Sequence, residues 1–84
     1  MVRVLIADDH PIVRTGLRQI LVDEPDIEVA GEAQNGGEVI DFLWKNACDL
    51  VLLDIGMPGR SGLEIISEIR QIKPNVGILI LSIY

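Results

Sequence analysis

Three aspartates follow two strongly apolar stretches of this sequence. The first stretch, residues 2–7, ends on Asp8 and Asp9, and the second, residues 50–53, ends on Asp54. Near-continuous apolar runs are typical of strands in a parallel sheet, because helices cover both faces of such a sheet. Ligand sites in these sheets lie beyond the carboxyl ends of the strands. If the two strands are neighbours, about 5 Å apart, we expect the three carboxylates to converge.

Converging carboxylates disfavour one another's ionisation unless a cation compensates them, and Mg²⁺ suits one or two carboxylates together with phosphate oxygens. A simpler interpretation is helix capping, since Asp9 or His10 could cap a helix that starts at Pro11. For a single strand-end aspartate we favour capping, whereas the Asp8-Asp9 pair together with Asp54 favours a cation site. An ionised aspartate can also attack phosphorus and form an acyl phosphate. Asp54 is the candidate nucleophile, because an open glycine-rich turn follows it.

Strand and helix patterns alternate along the whole chain. We predict strands over about residues 2–7, 27–33, 49–53 and 76–82, with the second at an edge of the sheet because it alternates apolar and polar residues. Helices are predicted after Pro11, after a loop at residues 35–37 and after the turn at residues 56–62. This βαβαβαβ order predicts an α/β fold with a parallel sheet and right-handed crossovers. In the first helix we expect one apolar stripe at helical spacing, formed by Ile12, Val13, Leu17, Ile20 and Leu21.

Size and composition limit the possible functions. At 84 residues the chain has room for one small domain, and its core must be aliphatic because it has one Phe, one Tyr and one Trp. The formal net charge of −6 argues against direct binding of nucleic acid by this segment. The single cysteine, Cys48, excludes an intrachain disulfide and favours a reducing, cytoplasmic setting. No stretch approaches bilayer length, so we expect no membrane association.

Four motifs together resemble a response-regulator receiver domain. They are Asp8-Asp9, the turn Asp54-Ile55-Gly56-Met57-Pro58-Gly59, the helix start Ser61-Gly62-Leu63-Glu64 and the strand end Leu81-Ser82. Asp8-Asp9-His10-Pro11 with Arg14-Thr15-Gly16-Leu17 resembles in particular the NarL/FixJ type, whose members usually carry a C-terminal helix-turn-helix. The resemblance covers residues 1–84 and about the first two-thirds of a typical receiver. It implies one flavodoxin-like, doubly wound domain with strand order 2-1-3-4, truncated before the fifth strand and the last helices, and without an effector domain.

The resemblance also implies roles for individual residues. Asp54 would be the phosphoacceptor, and Ser82 would be the hydroxyl residue that contacts the phosphoryl group and triggers the switch. Asp8, Asp9 and Asp54 would hold Mg²⁺ together with the backbone carbonyl of Gly56. The expected function is a phosphoacceptor signalling domain, not an enzyme beyond its own phosphorylation, that answers a sensor histidine kinase. Its parent would be a transcription regulator that binds DNA through a C-terminal domain missing here.

One departure from the family motif supports an alternative. Receivers carry a lysine at the end of a fifth strand, which this chain does not reach, and neither Lys45 nor Lys73 matches that position. The alternative is a signalling-impaired receiver fragment that self-associates through its uncovered sheet edge, as a homodimer or a domain-swapped oligomer. An aspartate-nucleophile phosphatase is less favoured, because such enzymes have an acid where this chain has Gly56. A flavin-binding module is less favoured still, since no phosphate-binding loop follows the first strand.

Five further side chains are candidates for a role. His10 could be a phosphohistidine or a metal ligand, but we favour a residue at the start of the helix near the site. Arg14 and Arg18 could meet the acidic loop or a kinase, and a solvated helix face is the favoured interpretation. Cys48 lacks a nearby base and is not expected to be reactive. The apolar residues of the second helix, with Trp44 among them, are expected to pack in the core.

Overall fold

The computed structural model describes residues 1–81, which form a four-stranded parallel sheet with three helices. The elements are β1 (Val2–Ala7), α1 (Pro11–Val22), β2 (Ile27–Ala33), α2 (Gly36–Lys45), β3 (Leu50–Asp54), α3 (Gly62–Ile72) and β4 (Gly77–Leu81). The strand order is β2-β1-β3-β4. The predicted βαβαβαβ order, the parallel sheet and the strand order 2-1-3-4 are therefore confirmed. Among the described residues, no helix has both the length and the apolar character needed to span a membrane.

Alternating side chains of β1 and β3 divide the core into two layers. On one face, Val4, Ile6 and Leu52 pack against Leu17 and Leu21 of α1. On the other face, α2 and α3 cover a larger cluster, whose sheet residues include Leu5, Ala7, Val51 and Leu53. Both central strands are thus covered on both faces, which explains their nearly continuous apolar sequences.

An irregularity in β2 sets the position of the carboxyl end of β1. Between Val4 and Leu5 the β1–β2 register shifts by one residue, so that Leu5 pairs with Gly31. At Gly31 a Cβ atom would lie only 2.5 Å from the ring of Phe42 on α2, so a larger residue would force the ring to move. Beyond this bulge the pairing continues to Ala7 and Ala33, and the Asp8 N–H donates to the Ala33 carbonyl at 2.9 Å. The backbone of Asp8 is therefore fixed at the end of the strand.

The predicted loop at residues 35–37 is wrong at its second and third positions, because α2 already begins at Gly36. The Asn35 side chain accepts a hydrogen bond from the Glu38 N–H, and the Glu38 carboxylate accepts one from the Gln34 N–H, both at 2.9 Å. The Asn35 contact caps the helix start, where N–H groups otherwise lack a partner. The Glu38 contact differs from that of a standard capping box, because it goes to Gln34, the residue before the N-cap. The two glycines obscured this start signal in the sequence.

The start of α1 differs from the prediction as well. His10 occupies the N-cap position, but neither it nor Asp9 caps the helix with its side chain. Pro11 at the first helical position has no N–H to satisfy, which reduces the need for a cap. The side chains of His10 and Asp9 are therefore available for other contacts.

The predicted apolar stripe of α1 is only partly buried. Leu17 and Leu21 pack against the sheet, whereas Ile12 and Ile20 are exposed. A helix turns by about 100° per residue, so these two isoleucines point away from the line through Leu17 and Leu21. The packing predicted for Trp44 is wrong for the same reason, since the neighbouring Leu43 is buried and Trp44 is exposed.

The last described strand, β4, forms an edge of the sheet. It pairs with β3 on one side, from Gly77 to Leu81, and no other strand within residues 1–81 pairs with its outer side. Leu79 and Ile80 remain 54% and 48% exposed. The edge and the apolar surface expected at this strand are therefore present in the described part of the chain.

Candidate functional site

The pairing of β1 with β3 brings the three strand-end aspartates together. Ala7 lies opposite Leu53 in the parallel register, so the residues that follow them, Asp8 and Asp54, emerge side by side. One ligand atom from each of Asp8, Asp9, His10 and Asp54 lies within 4.8 Å of the others. Asp8 is fully buried and Asp54 is nearly so. We call these four residues the acidic cluster.

Two carboxylate oxygens of the acidic cluster are buried without a hydrogen-bond partner among residues 1–81. They are Oδ2 of Asp8 and Oδ1 of Asp9. The His10 ring nitrogen Nδ1 lies 3.1 Å from this Asp9 oxygen, but its hydrogen bond is with Asp8 Oδ1. Buried side-chain oxygens nearly always have a partner, and a buried charge is costly without one. Two such oxygens on adjacent residues have the position and the hard donor chemistry of ligands to a divalent cation.

Within the described part of the chain, Asp54 is anchored through one of its carboxylate oxygens. Its Oδ1 accepts a hydrogen bond from the Gly56 N–H at 2.8 Å, and its Oδ2 lies 3.7 Å from His10 Nδ1. A Cβ atom at position 56 would lie 3.3 Å from Oδ1, closer than most real contacts, so glycine lets the turn approach the carboxylate. Met57 is buried in the core below the turn. The second oxygen of Asp54 thus faces the acidic cluster.

His10 lies at the start of α1 beside the site, as predicted, and its ring belongs to the acidic cluster. The Asp8 Oδ1 atom lies 2.7 Å from both the backbone nitrogen and the ring Nδ1 of His10. The hydrogen bond with Asp8 and, next, the charge of Asp9 raise the pKa of His10, while desolvation opposes the rise. A protonated imidazole would supply part of the positive charge that the three carboxylates need.

The solvated helix face predicted for Arg14 is wrong. Its side chain is only 15% exposed and donates hydrogen bonds to the Asp8 carbonyl at 2.6 Å and to the Glu32 carboxylate at 3.1 Å. Arg18 is half-exposed and hydrogen-bonds to the other oxygen of Glu32. These arginines lower the pKa of Glu32, chiefly through the hydrogen bond from Arg18. The four-residue spacing of the arginines was visible in the sequence, but their shared partner on β2 was not.

The remaining candidates lie away from the acidic cluster or outside the described residues. Lys45 is the last residue of α2 and pairs with Asp41, and Lys73 directly follows α3. Each lies shortly before the amino end of the next strand, away from the aspartates at the carboxyl ends. Burial raises the pKa of the Cys48 thiol, in agreement with the expectation that it is unreactive. Ser82, the predicted switch hydroxyl, lies outside residues 1–81.

Comparison with known proteins identifies the class to which this fold and site belong. Residues 4–84 match the family described as the response regulator receiver domain, so the chain belongs to that family. It is a signalling domain of the kind found in response regulators related to NarL and UvrY, and the expected resemblance to the NarL/FixJ type is confirmed.

Individual relatives support this assignment. The nitrate/nitrite response regulator protein NarL of Escherichia coli is 41% identical over 80 residues, which are 95% of this chain and 37% of NarL. The response regulator UvrY of the same organism is 42% identical over 84 residues, which are 100% of this chain and 38% of UvrY. A structure of Salmonella RcsB bound to the promoter rprA with the phosphomimetic BeF3⁻ has a TM-score of 0.93 at 32% identity. The superposed region covers 100% of this chain and 71% of the RcsB chain. The chain thus spans less than two-fifths of its curated relatives.

Removal of one charge from the acidic cluster should stabilise the metal-free domain. Asp54→Asn keeps the oxygen that accepts from Gly56 and removes one of three converging negative charges, so we expect the free energy of unfolding to rise by about 1 kcal/mol. Urea unfolding in EDTA measures this change. Asp41→Asn is the matched control, because it removes the same charge from an exposed helix position and should change stability by less than about 0.5 kcal/mol. Equal or lower stability of Asp54→Asn would contradict mutual repulsion in the cluster.

Proposed function

We propose that residues 1–84 form one receiver domain that accepts a phosphoryl group on Asp54 from a sensor histidine kinase in the presence of Mg²⁺. The observation that carries the proposal is a pair of buried oxygens, on Asp8 and Asp9, that have no hydrogen-bond partner within residues 1–81. They lie beside Asp54, whose Oδ1 is held by the Gly56 N–H. Membership of the receiver family supports it independently. A cation-binding pair next to a free carboxylate oxygen is the arrangement that phosphoryl transfer to an aspartate requires.

In this proposal Asp8, Asp9 and Asp54 contribute carboxylate ligands, and Gly56 contributes its backbone carbonyl. Bound Mg²⁺ supplies positive charge that neutralises the oxygens of the transferring phosphoryl group. We do not assign His10 as a ligand, because Mg²⁺ prefers oxygen and imidazole suits softer metals. Ser82 is assigned to contact the transferred phosphoryl group through its hydroxyl.

The proposed step is an in-line displacement at phosphorus. A carboxylate oxygen of Asp54 attacks the phosphorus of a phosphohistidine on the kinase, and the new O–P bond forms as the N–P bond breaks. The electron pair of the broken bond stays on the imidazole nitrogen, which takes a proton from solvent. Because the Gly56 N–H holds Oδ1, we expect Oδ2 to be the attacking atom. The product is an acyl phosphate on Asp54.

The relatives indicate the wider setting of this domain. NarL and UvrY are response regulators, and RcsB has been captured on promoter DNA. We infer that the parent of this chain is a cytoplasmic transcription regulator of the same kind. DNA contact would fall to another segment of the parent, because a segment with a net charge of −6 is repelled by phosphate backbones.

Phosphorylation by a small acyl phosphate tests the proposal without knowledge of the kinase. Incubation with acetyl phosphate and Mg²⁺ should add the mass of one phosphoryl group to the intact chain, as seen by mass spectrometry. The addition should disappear in EDTA and in Asp54→Asn, and it should persist in the charge-matched control Asp41→Asn. An unchanged mass of the unsubstituted chain, or a phosphoryl group that persists in Asp54→Asn, would overturn the proposal.

A second candidate function is self-association through the outer edge of β4. Two observations favour it: the unpaired edge of β4 in the described chain, and the exposed side chains of Leu79 and Ile80, one on each face of that strand. Exposed strand edges pair readily with other strands, and exposed apolar surface drives association. We propose that a second copy of this chain covers the edge, as a homodimer or a domain-swapped oligomer.

Light scattering coupled to size-exclusion chromatography tests this second candidate. The unsubstituted 84-residue chain should run as a dimer or larger species at high concentration, and the double substitution Leu79→Lys with Ile80→Lys should return it to a monomer. Leu63→Lys is the matched control, because Leu63 is 81% exposed on α3 and lies away from the edge. A monomer at every concentration, or an oligomer that survives the double substitution, would contradict the model of edge pairing.

A further inference from the structure

We propose that Arg14 is a positioning residue that sets the orientation of the two metal ligands Asp8 and Asp9. This inference rests on the proposed function, since it concerns the Mg²⁺ site of the acidic cluster. It begins from an unusual contact for a surface helix: the Arg14 guanidinium donates from Nη1 to the backbone carbonyl of Asp8 at 2.6 Å.

The Asp8 carbonyl belongs to the peptide unit that joins Asp8 to Asp9. Because that unit is planar, fixing its oxygen also fixes the direction in which both residues leave it. On the other side of Asp8, the N–H group donates to the Ala33 carbonyl at 2.9 Å. The backbone between the strand and the two ligands is therefore held at both ends, once by the sheet and once by Arg14.

Arg14 can hold this carbonyl because Glu32 holds Arg14. Its Nε donates to the Glu32 carboxylate at 3.1 Å while Nη1 reaches Asp8, which uses the fixed fork of the guanidinium. Glu32 lies on β2 directly before Ala33, so one short segment of β2 positions both contacts to Asp8. The side chain of Arg14 is 15% exposed, and little solvent competes for these bonds.

The arrangement indicates positioning rather than charge neutralisation. The hydrogen bonds of Arg14 go to a carbonyl and to Glu32, not to the carboxylates of the acidic cluster. The charge of Arg14 is compensated by that of Glu32. The buried Asp8 Oδ2 and Asp9 Oδ1 atoms therefore stay available for a cation. Lysine at this position would keep the charge but could not donate to Glu32 and to the Asp8 carbonyl with the fixed geometry of a guanidinium.

Mg²⁺ titration by calorimetry tests this role. Arg14→Gln should weaken Mg²⁺ binding by about tenfold or more, as loss of a group that orients metal ligands commonly does. Arg14→Lys should restore little of that loss. Arg18→Gln is the matched control: it removes a cation from the same Glu32 but has no contact with Asp8, and it should change the affinity by less than about twofold.

A second variant and a second measurement keep the test decisive. Glu32→Gln removes one partner of the Arg14 guanidinium without removing Arg14, and it should weaken Mg²⁺ binding several-fold. This variant replaces Arg14→Gln in the test if Arg14→Gln fails to fold. The NMR amide signals of Asp9 and His10 should shift in Arg14→Gln and stay in place in Arg18→Gln. Unchanged Mg²⁺ affinity in Arg14→Gln, or full recovery in Arg14→Lys, would overturn the positioning role alone. Failure of the proposed function would show separately, as an intact chain that acetyl phosphate does not modify.

Discussion

The parallel pairing of β1 with β3 is the constraint on which the site depends. Because Ala7 lies opposite Leu53, the residues that follow them, Asp8 and Asp54, lie side by side. The cores on both faces of these strands hold this register, because a slip by one residue would turn the buried side chains to the opposite face. The apolar packing on both faces of β1 and β3 therefore offsets the electrostatic repulsion between the carboxylates.

The surroundings of the acidic cluster stabilise its backbone more than its charges. Gly56 anchors Asp54 by one oxygen, and Ala33 and Arg14 hold the peptide units on either side of Asp8. Among the described residues, the His10 ring is the one potential cation that approaches the carboxylates, and its pKa is raised by the hydrogen bond with Asp8 and by the charge of Asp9. A site with a rigid frame and unpaired acceptor oxygens is suited to bind a metal ion and then a phosphoryl group.

Much of this arrangement could be predicted from local sequence, and the rest depends on contacts between distant residues. The apolar runs before Asp8 and Asp54 predict the strands, and the alternation of strands with helices predicts their parallel direction. That the two strands are neighbours, so that the carboxylates meet, came from the resemblance to receiver domains. Burial of individual helix residues was less predictable, because Ile12 and Ile20 fit a loose apolar pattern yet lie off the line that touches the sheet. The contacts of Arg14 could not be predicted from the sequence, because they depend on a bulge in β2 that brings Glu32 and Ala33 beside Asp8.

The most direct test of the cation site is paramagnetic broadening by Mn²⁺ in place of Mg²⁺. We expect the amide signals of residues 8–10 and 54–56 to broaden first at low Mn²⁺ and to recover on competition with excess Mg²⁺. The exposed acidic turn at residues 23–26, which precedes the amino end of β2, is an internal control whose signals should remain sharp. Broadening that is equal at both acidic regions, or absent from residues 8–10, would contradict the account.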